Sequence, residues 1–142
     1  MGGNEAAGIG AARISFVEEQ QIFSAIGQAG FERLTDAFYR QVPSDEILGP
    51  MYPANDLEGA KQRLRDFLIG RFGGPQTYIE QRGHPRLRIR HAPFAIGQAA
   101  RDRWLQLMNR ALVEAAFPEE SRKILQSFFE STTTFLQNRP GA

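Results

Sequence analysis

His84 and His91 are the only side chains in this 142-residue sequence whose ordinary pKa lies near neutrality. There is no cysteine, which excludes thiolate catalysis, cysteine-ligated zinc, iron–sulfur clusters and a disulfide scaffold. Two histidines leave no room for a three-histidine metal site. Both fit plain surface or hydrogen-bonding roles. His91, however, stands in Arg88-Ile89-Arg90-His91-Ala92-Pro93-Phe94, beside apolar residues and just before a proline. One imidazole facing an aromatic-rich helical core is what a five-coordinate haem iron requires. Zinc needs three or four ligands, and Glu80 is the only acid between Phe72 and Ala95.

Four arginines, Arg82, Arg86, Arg88 and Arg90, fall within nine residues. They suit phosphate or RNA contacts, salt bridges to haem propionates, or a solvated surface. The chain has 15 Arg and two Lys, so composition alone explains part of the cluster. Tyr39, Tyr52 and Trp104 are polar-tipped aromatics that either pack as plain core or line a pocket for a small ligand with partial negative charge. Spacing does not show whether they converge. No phosphate loop, dinucleotide fingerprint, nucleophile elbow or paired acid/base carboxylates is present.

These residues need a scaffold, and the length implies one domain. Eleven Phe predict an aromatic core, and a net charge of +1 speaks against a dedicated nucleic-acid binder. No run approaches the ~18 apolar residues of a membrane span, and the Gly/Ala-rich start lacks the features of a secretory signal. The expectation is a soluble cytoplasmic protein, with residues 1–18 a disordered extension and 19–142 a single domain. Gln20–Ile26 predicts a short helix stopped near Gly27. Phe31, Leu34, Phe38 and Val42 place a second over 30–42. Pro43, Pro50 and Pro53 break the chain into a corner, where Ser44 is a candidate cap. Asn55 and Glu58 suggest a capping box opening a third helix, faced by Leu57, Ala60 or Lys61, Leu64, Phe67 and Leu68 and ended by Gly73-Gly74-Pro75. Residues 75–95 read as irregular, with at most a short helix near 85–91. Helices over 97–116 (Trp104, Leu105, Met108, Leu112, Ala115) and 119–137 (Ile124, Leu125, Phe128, Phe129, Thr132, Phe135, Leu136) complete an all-α chain of five or six helices. Long irregular stretches are often functional, and both histidines lie in this one.

The stretch Tyr78 to Ile96, with its Gly83-His84-Pro85 and His91-Ala92-Pro93-Phe94, resembles the proximal region of the group II truncated haemoglobins. So do Phe38-Tyr39-Arg40-Gln41-Val42, Tyr52-Pro53, Phe72-Gly73-Gly74-Pro75 and Arg101-Asp102-Arg103-Trp104-Leu105, in the family's order and separations. The resemblance spans about Gln20 to Leu136. It implies a shortened globin, a two-over-two helical sandwich around haem b. His91 is then the proximal iron ligand, and His84 is not a ligand. Tyr39 matches the family's distal tyrosine, Trp104 its distal tryptophan, and Tyr52 the aromatic at the interhelical corner that packs on the haem face. Ala60 falls where many globins carry a distal His, with Leu64 one turn later. Phe67, Leu68, Phe94, Ile96 and Met108 match apolar wall positions. Arg63, Arg88 and Tyr78 become candidates for the propionates. The family often has a Gly-Gly pair after its first helix, where this chain has Gly27-Gln28.

With Ala60 small and apolar, stabilisation of bound dioxygen falls to Tyr39 and Trp104, with Tyr52, and its release is expected to be slow. Redox work such as nitric-oxide dioxygenation or peroxidase-like turnover would need an external electron donor or reductase. The competing readings are a haem-based sensor or scavenger acting through a partner, which lacks an output domain here, and an Arg-rich helical RNA-binding module, which lacks interleaved exposed aromatics. The expected partners are dioxygen and other diatomics, not nucleic acid or membrane, with the chain a monomer or homodimer.

Overall fold

Phe31, Leu34, Phe38 and Val42, four residues at helical spacing, are completely enclosed. The first three lie on the helix that organises the molecule, and Val42 is its C-cap. The computed structural model describes residues 16–139. Among these the elements are all helical: α1 (Phe16–Gln20), α2 (Ile22–Gln41), α3 (Leu57–Arg71), α4 (Thr77–Arg82), α5 (Leu87–His91), α6 (Gln98–Ala115) and α7 (Glu119–Leu136), with a 3-10 turn at Gly49–Met51. Residues 1–15 of the expected extension lie outside the described residues, and residues 16–18, also expected there, belong to α1. No helix among the described residues is long and apolar enough to cross a membrane.

The expected stop at Gly27 is a kink inside α2. Gly27 has φ 69°, a positive-φ backbone that glycine adopts without strain, so this single glycine makes the kink. In the proline-rich corner the capping side chain is Asp45 rather than Ser44. Asp45 Oδ2 accepts hydrogen bonds from the backbone N–H of Ile47 at 3.0 Å and Leu48 at 2.9 Å. The expected box at Asn55 and Glu58 is also replaced. Asp56 is the N-cap of α3, and its carboxylate accepts from Arg63 Nη1 at 3.3 Å rather than from the helix backbone.

The stretch expected to be irregular contains two helices. α4 is too short to show periodicity and forms because Tyr78 has something to pack on, its ring lying edge-on to Phe67 with centroids 5.8 Å apart. Gly73, at φ 101°, ends the turn after α3, where a Cβ would overlap the Gln20 carbonyl. Nearby, Phe23 N–H donates to the Phe72 carbonyl at 2.9 Å, which ties the start of α2 to the end of α3.

α2 packs on both α3 and α6, and α6 packs on α7. The α2/α3 and α6/α7 pairs thus form the two layers of a two-over-two helical sandwich. Phe31 and Phe38 of α2, Met108 and Leu112 of α6, and Leu125 of α7 fill the space between them. The face of α3 behaves differently. Leu57, Leu64 and Phe67 are only partly buried, whereas Leu68 is fully enclosed. Phe135, expected on the inner face of α7, is 54% exposed.

Candidate functional site

The half-buried face of α3 looks into a cavity of about 700 Å³, also walled by the corner, α5, α6 and α7. This volume is within the usual range for small-molecule and cofactor sites. Tyr39, Tyr52 and Trp104 line it together, although they come from α2, the corner and α6. Ala60, Arg63, Leu64, Phe67 and Leu68 of α3 line it too, as do Tyr78, His91, Phe94 and Ile96. Two expected members do not. Met108, one turn beyond Trp104, is turned into the sealed core. Arg88 points away, with Nη1 donating to the Phe135 carbonyl at 3.2 Å and its guanidinium 5.2 Å from the centre of the Phe135 ring.

On one wall Trp104 Nε1–H donates to Tyr52 Oη at 3.2 Å. Tyr39 sits against the Tyr52 ring, and its hydroxyl donates to the Ala60 carbonyl at 3.4 Å. Packing holds the three rings. Tyr39 and Tyr52 meet edge-on with centroids 5.6 Å apart, and Trp104 sits 5.0 Å from Phe38 and 5.4 Å from Phe129. Burial pushes the Tyr39 hydroxyl well above the ordinary tyrosine pKa, and Tyr52 adds to the rise while Arg63 opposes it. Burial also raises Tyr52, and Trp104 and Tyr39 oppose it. Both phenols are therefore neutral donors at physiological pH. Because Tyr52 Oη accepts the hydrogen bond from Trp104, its own proton is free to point elsewhere.

An ion pair fixes the corner that carries Tyr52. Arg103, beside Trp104 in sequence, reaches Asp45 Oδ1 at 2.7 Å. Burial favours the neutral acid at Asp45, but the Leu48 N–H, Arg103 and the Ile47 N–H outweigh it and hold the carboxyl below its usual range.

His91 ends α5 on the other wall. Its Nδ1 is 2.7 Å from the Leu87 carbonyl. A carbonyl can only accept, so Nδ1 carries a proton, and in the neutral imidazole Nε2 then holds the lone pair. This backbone partner is the kind that orients a metal-ligating imidazole. His84 is exposed, does not line the cavity, and accepts the Arg86 N–H on Nδ1 at 3.2 Å.

Of the four clustered arginines weighed for the propionates, Arg82 and Arg90 line the cavity, whereas Asn138 and Arg101 carried no signal in the sequence. Arg90 lines the cavity and spends its guanidinium on the carbonyls of Pro85 at 2.7 Å and Arg82 at 2.9 Å. Asn138 Nδ2 donates to the Phe94 carbonyl at 2.9 Å, while its Oδ1 accepts from the Ile96 N–H at 2.8 Å. Nothing in the sequence signals this clamp, since Asn138 lies 42 residues from Ile96. Arg82 and Arg101 also line the cavity. Arg101 Nε is buried and is the side-chain nitrogen left without a hydrogen-bond partner among the described residues.

The two-layer helical fold thus encloses a largely apolar chamber lined by a single histidine among the described residues. The model of the bacterial-like globin family matches residues 21–138. The group 2 truncated hemoglobin YjbI of Bacillus subtilis is 36% identical over 120 residues, covering 84% of this chain and 90% of that protein. The hemoglobin of the thermophilic phototroph Chloroflexus aurantiacus is 48% identical with a TM-score of 0.80, covering 83% of this chain and 98% of its own. The truncated oxygen-avid haemoglobin of Bacillus subtilis is 36% identical with a TM-score of 0.79, covering 82% and 98%. The chain belongs to the bacterial-like globins, in the group II truncated, two-on-two branch.

The family's cofactor is haem b, and the residues present fit it. The chamber offers one uncharged nitrogen donor, largely apolar walls, and the cationic side chains of Arg63, Arg82, Arg90 and Arg101. The partnerless Arg101 Nε fits an acceptor brought by a bound group.

Proposed function

We propose that this globin binds dioxygen and other diatomic gases at a haem iron ligated by His91 Nε2. The observation that carries this reading is the 2.7 Å contact between His91 Nδ1 and the Leu87 carbonyl, which fixes the tautomer and leaves Nε2 for the cavity. Bound haem would supply an iron that takes up small gases. The Tyr52 proton is the one left for a partly charged ligand, because Trp104 donates to its oxygen and Tyr39 donates to the Ala60 carbonyl. Trp104 holds Tyr52 in place, and the Tyr39 hydroxyl is free enough at 3.4 Å from Ala60 to turn toward the ligand. Hydrogen bonds to a partly charged group in a chamber poor in water exceed the ~1 kcal/mol of neutral ones. Release of dioxygen is accordingly slow, as the likeness to an oxygen-avid haemoglobin supports.

Arg63 and Tyr78, which both line the cavity, serve the propionates. Redox turnover, either nitric-oxide dioxygenation or peroxidase-like chemistry, draws electrons from an external donor in the cytoplasm. The purified protein is expected to be red, with an intense haem band that moves under carbon monoxide. A colourless protein that takes up no added haemin would refute the reading. His91→Gly should abolish tight axial ligation and His84→Ala should leave it intact, and the reverse pattern would assign the other histidine.

A further inference from the structure

We propose that the outer face of α5, built from Arg86, Arg88 and Ile89 with Phe135 of α7 beside them, docks an acidic protein that delivers single electrons to the haem. The proposal rests on the haem reading of the cavity. Residues 81–96 contain four arginines and no acid, and removing these four charges from the overall +1 leaves −3 for the rest of the chain. The positive charge is thus concentrated in one segment of a chain that is otherwise net acidic. None of the four arginines is in an ion pair among the described residues, although nine such pairs exist elsewhere.

The four divide by direction. Arg82 and Arg90 line the cavity. Arg86 and Arg88 do not, and both are exposed. Arg86 also has φ 47°, a left-handed backbone that glycine or asparagine would adopt at lower cost. Beside these cations lie two large apolar side chains open to solvent, Ile89 at 68% and Phe135 at 54% exposure. The Arg88 guanidinium stacks on Phe135. Exposed apolar side chains bordered by arginine have the make-up of a small protein interface, and redox encounters use small ones.

The position suits electron delivery. Ile89 is two residues before His91 on a helix only ~7 Å long. One electron leaves the docked donor, which is oxidised, and reduces iron(III) to iron(II), with no atom or proton transferred. Single-stranded RNA is the weaker match, because it wants a row of stacking aromatics along a basic groove, and Phe135 stands alone here.

The experiment uses the haem-loaded protein and an acidic plant-type [2Fe–2S] ferredoxin as probe. Ferric-haem reduction is followed by stopped flow at ~0.02 M and ~0.5 M ionic strength, with ferredoxin binding measured in parallel by calorimetry. R86E/R88E should slow reduction and weaken binding about tenfold or more at low salt, and flatten the salt dependence. R86Q/R88Q should do the same to a smaller degree, and Ile89→Ser should weaken binding without changing the salt slope. Reduction by the small neutral deazaflavin radical should be unchanged in every variant. Equal rates and salt slopes for wild type and R86E/R88E, with the haem band intact, would overturn the docking surface alone. So would wild-type protein binding oligouridylate more tightly than ferredoxin. A wild-type protein with no haem band would instead sink the reading beneath it.

Discussion

The two walls of the cavity are held by different means. The Tyr39–Tyr52–Trp104 wall is made of side chains bonded to side chains, with rings wedged into the packed core. The His91 wall is held mainly through the backbone: Leu87 fixes the imidazole, Arg90 gathers the carbonyls before it, and Asn138 gathers those after it. Its helix has five residues, none of them buried. The difference matches two tasks. A ligand-stabilising wall must aim hydroxyl and indole protons, which rigid rings do well. A ligating wall must present one lone pair while remaining able to receive a large cofactor.

Substitutions can break or sharpen this contrast. The largest effect is expected from His91→Gly, which should lower haem affinity at least a hundredfold, with added imidazole restoring the spectrum; retention equal to wild type in a haem-transfer assay would contradict the assignment. Next come the aromatic residues. Tyr52→Phe should speed dioxygen dissociation by about ten- to a hundredfold, corresponding to a hydrogen bond of ~1.5–3 kcal/mol to a charged group. Trp104→Phe should act in the same direction but less, since its N–H works through Tyr52. Unchanged dissociation in Trp104→Phe, read by stopped flow, would mean the network is idle.

Asn138→Ala should cost about 1–2 kcal/mol by leaving the Ile96 N–H and Phe94 carbonyl without their partner, and should raise the haem-loss rate several-fold while barely moving dioxygen dissociation. An equal effect on both rates would erase the division between the walls.

The smallest effect concerns acid. The Asp45 carboxyl titrates below its ordinary value in the folded chain, so its stabilisation is complete above the usual aspartate pKa of about 3.9 and is lost as pH falls through the folded value. Asp45→Asn should therefore make the decline in melting temperature shallower in that window, by about 2 °C. A decline as steep as that of wild type would exclude Asp45 as a contributor.

The long elements were legible in the sequence because their faces repeat at the helical period over many residues. The stripes on α2 and α6 predicted buried side chains, and Phe31, Phe38 and Leu112 are buried. α4 was not legible, since six residues held by one ring pair carry no period. Ser44 and Asn55 were chosen as caps by local propensity, but the neighbouring aspartates had arginine partners distant in sequence, Arg103 for Asp45, or farther along α3, Arg63 for Asp56. The motif neighbourhood of His91 and the positions of Tyr39, Tyr52 and Trp104 could be read. Their convergence could not, because it depends on helix packing. Arg88 shows the limit of composition: four arginines fall within nine residues, and the fold turns them in opposite directions.

The Asn138 clamp has a dynamic consequence. It joins the turn after α7 to the segment following His91 across 42 residues, so fraying of the last turn and displacement of the iron's ligand become a single opening event. The Ile96 amide should then exchange with solvent at the rate of that event, and haem occupancy should slow it. Exchange at the Ile96 amide would report how often the far wall lets go.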